Sequence, residues 1–488
     1  MIFVPLCLPN FLRRMILSLV CCLVLAAGGC TGGDTRDYDE YARQGVTASE
    51  IRLGSSLPLT GHASYLGEQT LRGALSYIKY VNESGGVHGR KIVLDARDDG
   101  YDPPRCLANT QQLMIHGNVF ALFGYVGTPT TMRILPLVEE ARIPLLGMFT
   151  GANGLRIPFN RYVINVRASY YQETGAAVRH LVQDLGLKRI AVFYQYDAYG
   201  FDGLTGAELV LRELGLAPVA RGSYIRGTND VTDGLKRILE ERPEAVVMVG
   251  TYEPCAEFIR RADAAGLKAV YYNLSFVGGE ELARRLPHDL KSPVVLSLVV
   301  PPPTAPEAPR IMQVASDYVT HLKRFFPDET PNAVGLEGYI NALVLVEGLR
   351  RAGPDITRET FIDAIDSLSS FSLGGTNVSF SPRNHQGMES VFFSVLRGGR
   401  FELVNDFRTV LAGGLKDGEP ANKIKGAANK NESSADKDRS SANKDGKPVN
   451  AVLPPVVPPG TASPDIVIPD AVPSEAARSK EAGQGGAP

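Results

Sequence analysis

The chain has no tryptophan, and only two of its six cysteines, Cys106 and Cys255, lie outside the first thirty residues. Two isolated cysteines provide neither a disulfide scaffold nor the spaced thiols of a zinc site, and they read as small buried hydrophobes. Seven histidines (62, 88, 116, 180, 288, 321 and 385) are scattered, with no His-Glu-x-x-His and no Cys–His spacing of a metal site. Basic charge is not in excess: 51 Lys and Arg face 53 Asp and Glu, for a formal net charge of −2. That balance excludes a protein built to neutralise a nucleic-acid backbone. Also missing are Gly-x-Ser-x-Gly, a P-loop and a Gly-x-Gly-x-x-Gly after a strand. Asp98-Asp99 is a carboxylate pair, but neighbours on a strand point to opposite faces and cannot form an acid/base couple. The pair reads as a solvated strand end and turn. No catalytic residue, metal or cofactor is therefore expected.

What the chain does have begins with an address. Arg13 and Arg14 precede the apolar run Met15–Ala27, which meets Gly28-Gly29-Cys30. A basic segment, a short apolar run and small residues before a cleavage point make a secretory signal. The run is too short and wrongly flanked for a transmembrane helix. Small residues directly before a cysteine resemble the bacterial lipoprotein box, in which that cysteine is lipidated; Ala27 stands where the box usually has leucine. Residues 1–29 are thus expected as signal peptide, Cys30 as lipid anchor to a membrane of the cell envelope, and residues 30–48 as tether. At the other end, residues 413–488 are rich first in Lys, Asn, Asp and Ser, then in Pro, Ala and Gly. Such a segment cannot bury enough surface to offset its ordering entropy and is expected to be disordered.

Between these ends strands and helices alternate. Ile51–Ser56, Lys91–Asp95, Val119–Phe123 and Ile143–Gly147 read as strands, separated by helices near 68–82, 104–116 and 130–141. The alternation restarts with helix 171–185 and strand Arg189–Tyr194, then helix 204–214, strand Pro218–Ser223, helix 231–241, strand Ala245–Val249, helix 255–265 and strand Ala269–Asn273. Such alternation predicts right-handed βαβ units on parallel sheets, an α/β chain of two doubly wound lobes. The remainder predicts helices near 311–325, 332–352 and 361–368, and a hairpin, 390–396 with 401–404. Ligands of doubly wound sheets sit at the carboxyl ends of the strands, and two facing sheets place both sets of loops around one cleft.

One stretch concentrates the signals for such a site: Phe120-Ala-Leu-Phe-Gly-Tyr-Val-Gly-Thr-Pro-Thr-Thr-Met132. A buried strand breaks at Gly124 and Gly127, and Thr128-Pro129 opens a helix with threonine as N-cap and proline at the first helical position. Free backbone N–H groups and the positive end of a helix dipole then stand ready for a carboxylate.

Leu57-Pro-Leu-Thr-Gly61, Gly85-Gly-Val-His-Gly-Arg-Lys-Ile92, Asp98-Asp-Gly-Tyr-Asp-Pro103, Phe149-Thr-Gly-Ala152, Val166-Arg-Ala-Ser-Tyr170, Tyr199-Gly200 and Glu337-Gly-Tyr-Ile-Asn-Ala342 together resemble the branched-chain amino-acid receptor family. Its members are extracytoplasmic substrate-binding proteins of ABC importers, and the resemblance runs from about Ser49 to Leu411. It implies two lobes joined by three crossovers (49–168 with 299–355, and 169–298 with 356–412) that close on a small carboxylate-bearing solute, with an ABC permease as partner. By position it implies that Thr128, with Tyr125 and Gly127 in its loop, and Thr150, with Phe149 and Gly151, grip the carboxylate. Tyr65 or Leu66 matches the aromatic first loop, Tyr199 a tyrosine of the second lobe, and Thr251 or Tyr252 the loop after its third strand. The family's acidic partner for a ligand ammonium falls at Ser275, where a neutral hydroxyl cannot replace it; Glu253, Asp197 or Glu337 are the acids placed to substitute. The type member's disulfide positions fall at Tyr101 and Gly127, so that bridge is missing. A sensor whose closed form is read by a signalling partner, and an envelope structural lipoprotein, remain the alternatives.

Overall fold

The computed structural model describes residues 41–411. The expected signal peptide, Cys30, the tether as far as residue 40 and the tail from 412 onward lie outside the described residues.

The first lobe is a parallel sheet in the order β2-β1-β3-β4-β5. Its elements follow the chain as β1 (Glu50–Leu57), α1 (Ser64–Glu83), β2 (Lys91–Asp98), α2 (Pro103–Ile115), β3 (Ala121–Phe123), α3 (Thr128–Glu140), β4 (Leu145–Leu146) and β5 (Val163–Ile164). The chain then crosses to the second lobe through α4 (Tyr170–Arg179), β6 (Ile190–Gln195), α5 (Ala198–Glu213), β7 (Arg221–Tyr224), α6 (Thr232–Glu241), β8 (Ala245–Val249), α7 (Tyr252–Ala264), β9 (Val270–Asn273), α8 (Gly279–Arg285) and β10 (Val294–Leu298). Strand β8, Ala-Val-Val-Met-Val, is buried throughout, as a strand with helices over both faces must be.

After β10 the chain returns as α9 (Ala308–Ile311), α10 (Val314–Phe325) and α11 (Ala333–Arg351). Helix α11 lies so close to α1 that a Cβ on Gly73 would meet the Gly335 carbonyl oxygen at 1.8 Å. The expected return to the second lobe at 356 comes later. Helix α12 (Arg358–Asp366) packs on the first lobe: Arg358 donates to the carbonyls of Phe120 and Val119, both at 3.0 Å, and Phe361 meets Phe120 edge-on. A small ribbon of β11 (Phe371–Ser372) and β12 (Asn377–Val378) follows. Only β13 (Phe392–Arg397) and β14 (Arg400–Leu403) rejoin the second sheet, whose order is β14-β13-β10-β9-β8-β6-β7. These last two strands run antiparallel and form the expected hairpin. Two of the crossovers run side by side: Asn165 N–H donates to the His385 carbonyl and Met388 N–H to that of Val166, each at 2.8 Å.

Two local expectations change. The helix expected from 204 starts at Ala198, because the Asp197 carboxylate caps it, accepting from the N–H groups of Tyr199 (3.0 Å) and Gly200 (3.4 Å). Asp99 is not solvated: it is fully buried and accepts from the Ser56 hydroxyl at 2.8 Å and from Tyr101 N–H at 2.9 Å. Asp98 closes the turn instead, accepting from Leu59 and Thr60, and these bonds hold its carboxyl below its ordinary range despite partial burial.

Candidate functional site

Helix α3 begins where β3 ends, and the N-cap is Gly127, not Thr128. At φ 97° Gly127 occupies the left-handed region, and a Cβ there would lie 2.1 Å from the Tyr101 ring. Thr128 is thereby moved to the first helical position, where its backbone N–H has no partner within the helix. Its hydroxyl makes no cap; it meets the Thr150 hydroxyl at 2.7 Å, both side chains fully buried. One of the two protons lies between the oxygens, and the other is left for an acceptor. Gly127 N–H is not free, since it donates to the Phe149 carbonyl at 3.2 Å. Gly151, next to Thr150, accepts from Tyr170 N–H at 2.7 Å. The Tyr170 hydroxyl is itself buried and without a hydrogen-bond partner, as is that of Tyr101.

The second lobe meets this face with aromatic rings. Phe276, on the turn Ser275–Val277 after β9, has its ring centroid 5.5 Å from Phe149, 6.0 Å from Tyr101, 6.4 Å from Tyr170 and 4.7 Å from Tyr199. Tyr199 stands in the first turn of α5, 5.2 Å from the Tyr170 ring, and its hydroxyl donates to the Gly250 carbonyl at 3.4 Å. Gly127, Thr128, Phe149, Thr150, Gly151 and Tyr199 are thus brought together, with the rings of the two lobes in contact at Phe149, next to Thr150.

The remaining candidates lie elsewhere. Tyr125 does not reach the cleft: its hydroxyl is 2.8 Å from that of Thr110 on α2, inside the first lobe. Thr251 stands behind Tyr224, whose hydroxyl accepts from Thr251 N–H at 3.0 Å and donates to Gln195 at 2.9 Å. Tyr65, Leu66 and Tyr252 form the rim. Tyr65 and Tyr252 meet edge-on at 6.2 Å across the mouth, the Tyr65 hydroxyl donates to Glu280 at 3.3 Å, and Leu66 packs against the turn at Gly278. The rim opens into a groove of about 1000 Å³ lined by Tyr65, Tyr252, Glu280, Arg284 and Asn332 among others.

Ser275 belongs to a buried ion network. Its N–H and its hydroxyl both donate to Glu173, at 3.0 Å, and its hydroxyl also contacts Arg167. Arg167 pairs with Glu173 at 3.0 Å and with Glu337 of α11 at 3.3 Å, and Ser297 of β10 donates to Glu173 at 2.5 Å. Burial opposes the charge of Arg167, yet Glu337 and Glu173 hold its guanidinium firmly protonated. Burial pushes Glu337 up to about 7, against the pull of Arg167. The other two substitute acids also have partners. Glu253 pairs with Arg285 and accepts from Asn229, each at 3.1 Å; Asp197, besides its cap, accepts from Gln195 at 2.6 Å and lies 3.4 Å from Arg226. Tyr101, Tyr170, Arg167, Glu173 and Phe276 carry no sequence signal as site residues, although the first three fall inside motifs that mark the fold.

Among the described residues no group of three or more His, Cys, Asp or Glu side chains is placed to hold a metal ion, and no helix is long and apolar enough to cross a membrane. Cys106 and Cys255 are buried free thiols, as expected.

Residues 50–400 match the family model described as periplasmic binding protein. An amino acid binding protein of Pseudomonas aeruginosa is 24% identical over 237 residues, which are 48% of this chain and 63% of that protein. A Leu/Ile/Val-binding protein homolog of Brucella abortus is 26% identical over 232 residues, 45% of this chain and 57% of the relative. The chain thus spans about three-fifths of the length of these curated relatives. The crystal structure of a possible leucine/isoleucine/valine-binding protein from Rhodopirellula baltica superposes with a TM-score of 0.70 at 32% identity, covering 75% of this chain and 98% of that one. With the sheet orders, the paired crossovers and a family match over most of its length, the chain belongs to the periplasmic binding protein family.

Proposed function

We propose that this protein is an extracytoplasmic solute receptor, not an enzyme. It takes up a small carboxylate-bearing molecule between its lobes, anchored to a membrane through lipidated Cys30, and presents it to an ABC permease. The observation that carries the reading is the buried Thr128–Thr150 hydroxyl pair at the positive end of α3, with the Tyr170 hydroxyl unpartnered in the same enclosure. A carboxylate seated there would accept the free threonine proton, the Thr128 N–H and the tyrosine hydroxyl. Rings of both lobes touch beside this point, so a solute enters through opening of the hinge and parts Phe276 from Phe149.

The test is calorimetry on the full chain, guided by native mass spectrometry of what copurifies with it. Thr150→Val keeps the shape and removes one hydroxyl, and is expected to weaken binding by about 1–3 kcal/mol, roughly 5- to 150-fold. Unchanged affinity in Thr150→Val and in Thr128→Val removes the carboxylate assignment. Cys30→Ala is expected to release the protein into the soluble fraction, and continued sedimentation with membranes removes the lipid anchor.

A further inference from the structure

The proposed function leaves the rest of the solute open, and here the enclosure is informative. We infer that the solute is a carboxylate with an apolar or aromatic body and no α-ammonium group. This rests on the carboxylate reading above and narrows it.

An ammonium carries three N–H donors and a full charge, and burying it calls for an acidic partner or several good acceptors. The enclosure offers neither. Ser275, beside Phe276, is a donor already turned away: its N–H and hydroxyl both point to Glu173. The Glu173 carboxylate is saturated, accepting from Arg167, from Ser275 twice and from Ser297. Asp197 is likewise filled by Tyr199, Gly200, Gln195 and Arg226. Glu337 faces Arg167 at 3.3 Å, and Glu253 is held at the rim by Arg285.

Buried acceptors without partners exist elsewhere, at Asp202, Asn165 and Asn273, but the groups touching the ring cluster itself are left with unmet donors. Arg167, its guanidinium carbon 5.0 Å from the Phe149 centroid, has a buried Nε–H without a hydrogen-bond partner. The hydroxyls of Tyr101 and Tyr170, both within 1% of full burial, are unpartnered as well. Arg226 brings a second guanidinium 5.8 Å from the Tyr101 ring. The guanidiniums are already charge-paired, but the N–H and O–H donors left unmet behind a wall of five rings suit a carboxylate with an apolar body. They do not suit a zwitterion, whose cationic end would displace an existing ion pair to find a partner.

Matched pairs that differ only in the amino group test this by calorimetry at pH 7 on the full chain: 3-phenylpropanoate against L-phenylalanine, and 4-methylpentanoate against L-leucine. The deamino acid is expected to bind at least tenfold more tightly in each pair, with 3-phenylpropanoate the tighter of the two acids. Equal affinity within the pairs, or tighter binding of either amino acid, overturns the inference while leaving the carboxylate cleft standing. Thr150→Val separates the two claims. If it weakens 3-phenylpropanoate about tenfold or more, the acid is seated as described; if binding persists unchanged both in it and in Thr128→Val, the seat is elsewhere and both claims fall. Failure of all four compounds to bind also overturns both.

Discussion

Glu173 is a carboxylate with no exposed surface and four donors on its two oxygens: Arg167 and the Ser275 hydroxyl on one, Ser275 N–H and the Ser297 hydroxyl on the other. Glu173→Gln changes the volume little and the chemistry sharply. The serine hydroxyls can turn and accept from the new amide, but the Arg167 and Ser275 N–H groups cannot, so one N–H confronts another in either orientation. Arg167 also loses one of its two counter-charges and keeps Glu337. Breaking a buried ion pair on one side costs about 3–5 kcal/mol, and the surviving partner places this case near the lower end, about 3 kcal/mol. For a folded unit of this size that is a fall in Tm of roughly 4 °C. Urea denaturation followed by far-ultraviolet circular dichroism reads the loss as a lower midpoint at constant slope. Arg167→Met combined with Glu173→Met and Glu337→Gln removes the charges together, and is expected to recover part of the loss, so that the substitutions are not additive. A Glu173→Gln protein within about 0.5 kcal/mol of the parent would refute the claim that this network stabilises the fold.

Three further outcomes follow from the same geometry. Glu337, pushed up to about 7, and Asp99 and Asp202, each pushed up to about 6 by burial, bind protons more tightly folded than unfolded; stability should therefore fall as pH rises from about 5 to 8, and Glu337→Gln should flatten the upper part of that slope in thermal melts. Gly127→Ala, which must hold φ 97° and place a methyl 2.1 Å from the Tyr101 ring, should cost both stability and solute binding, whereas Gly215→Ala, with nothing within 4 Å, should cost only its backbone strain; equal losses in denaturant melts would show that Tyr101 yields freely. Tyr101→Phe with Tyr170→Phe removes two unpartnered hydroxyls, and should shift the protein toward the closed arrangement when no solute is added, seen as a smaller radius of gyration in solution scattering.

The alternation of strands and helices made the two sheets legible, because period and length distinguish buried parallel strands from amphipathic helices without tertiary knowledge. Thr128 was legible for a related reason: a strand, a glycine turn and Thr-Pro form a local pattern. What could not be read was the use of its side chain. The conformation of Gly127 moves the helix start back by one residue, and the hydroxyl that would have capped α3 turns to Thr150 instead. Asp99 looked solvated because its partner, Ser56, comes from the neighbouring strand. Glu173 gave no signal at all, because two of its partners, Ser275 and Ser297, are each more than a hundred residues away. The same limit hid the ring cluster, since Tyr101, Phe149, Tyr170, Tyr199 and Phe276 belong to segments that only the folded topology brings together.

These features bear on one another through adjacent residues. Ser275 is fixed to Glu173 within the second lobe, and its neighbour Phe276 is the ring that meets Phe149 of the first, so the ion network positions the ring that closes the cleft. Bringing the lobes together without a solute buries the hydroxyls of Tyr101 and Tyr170 unpaired, at about 1–3 kcal/mol each. The ring contacts repay some of that, at about 0.5–1.5 kcal/mol per pair beyond the area they cover. The unpaired hydroxyls thus offset part of what ring contact and apolar burial contribute to closure. A carboxylate that satisfies the hydroxyls removes the penalty in the closed form alone, and a ligand shifts an equilibrium only by its differential affinity for the two states. The unmet hydrogen bonds therefore do more than mark a site: they make closure depend on what fills it.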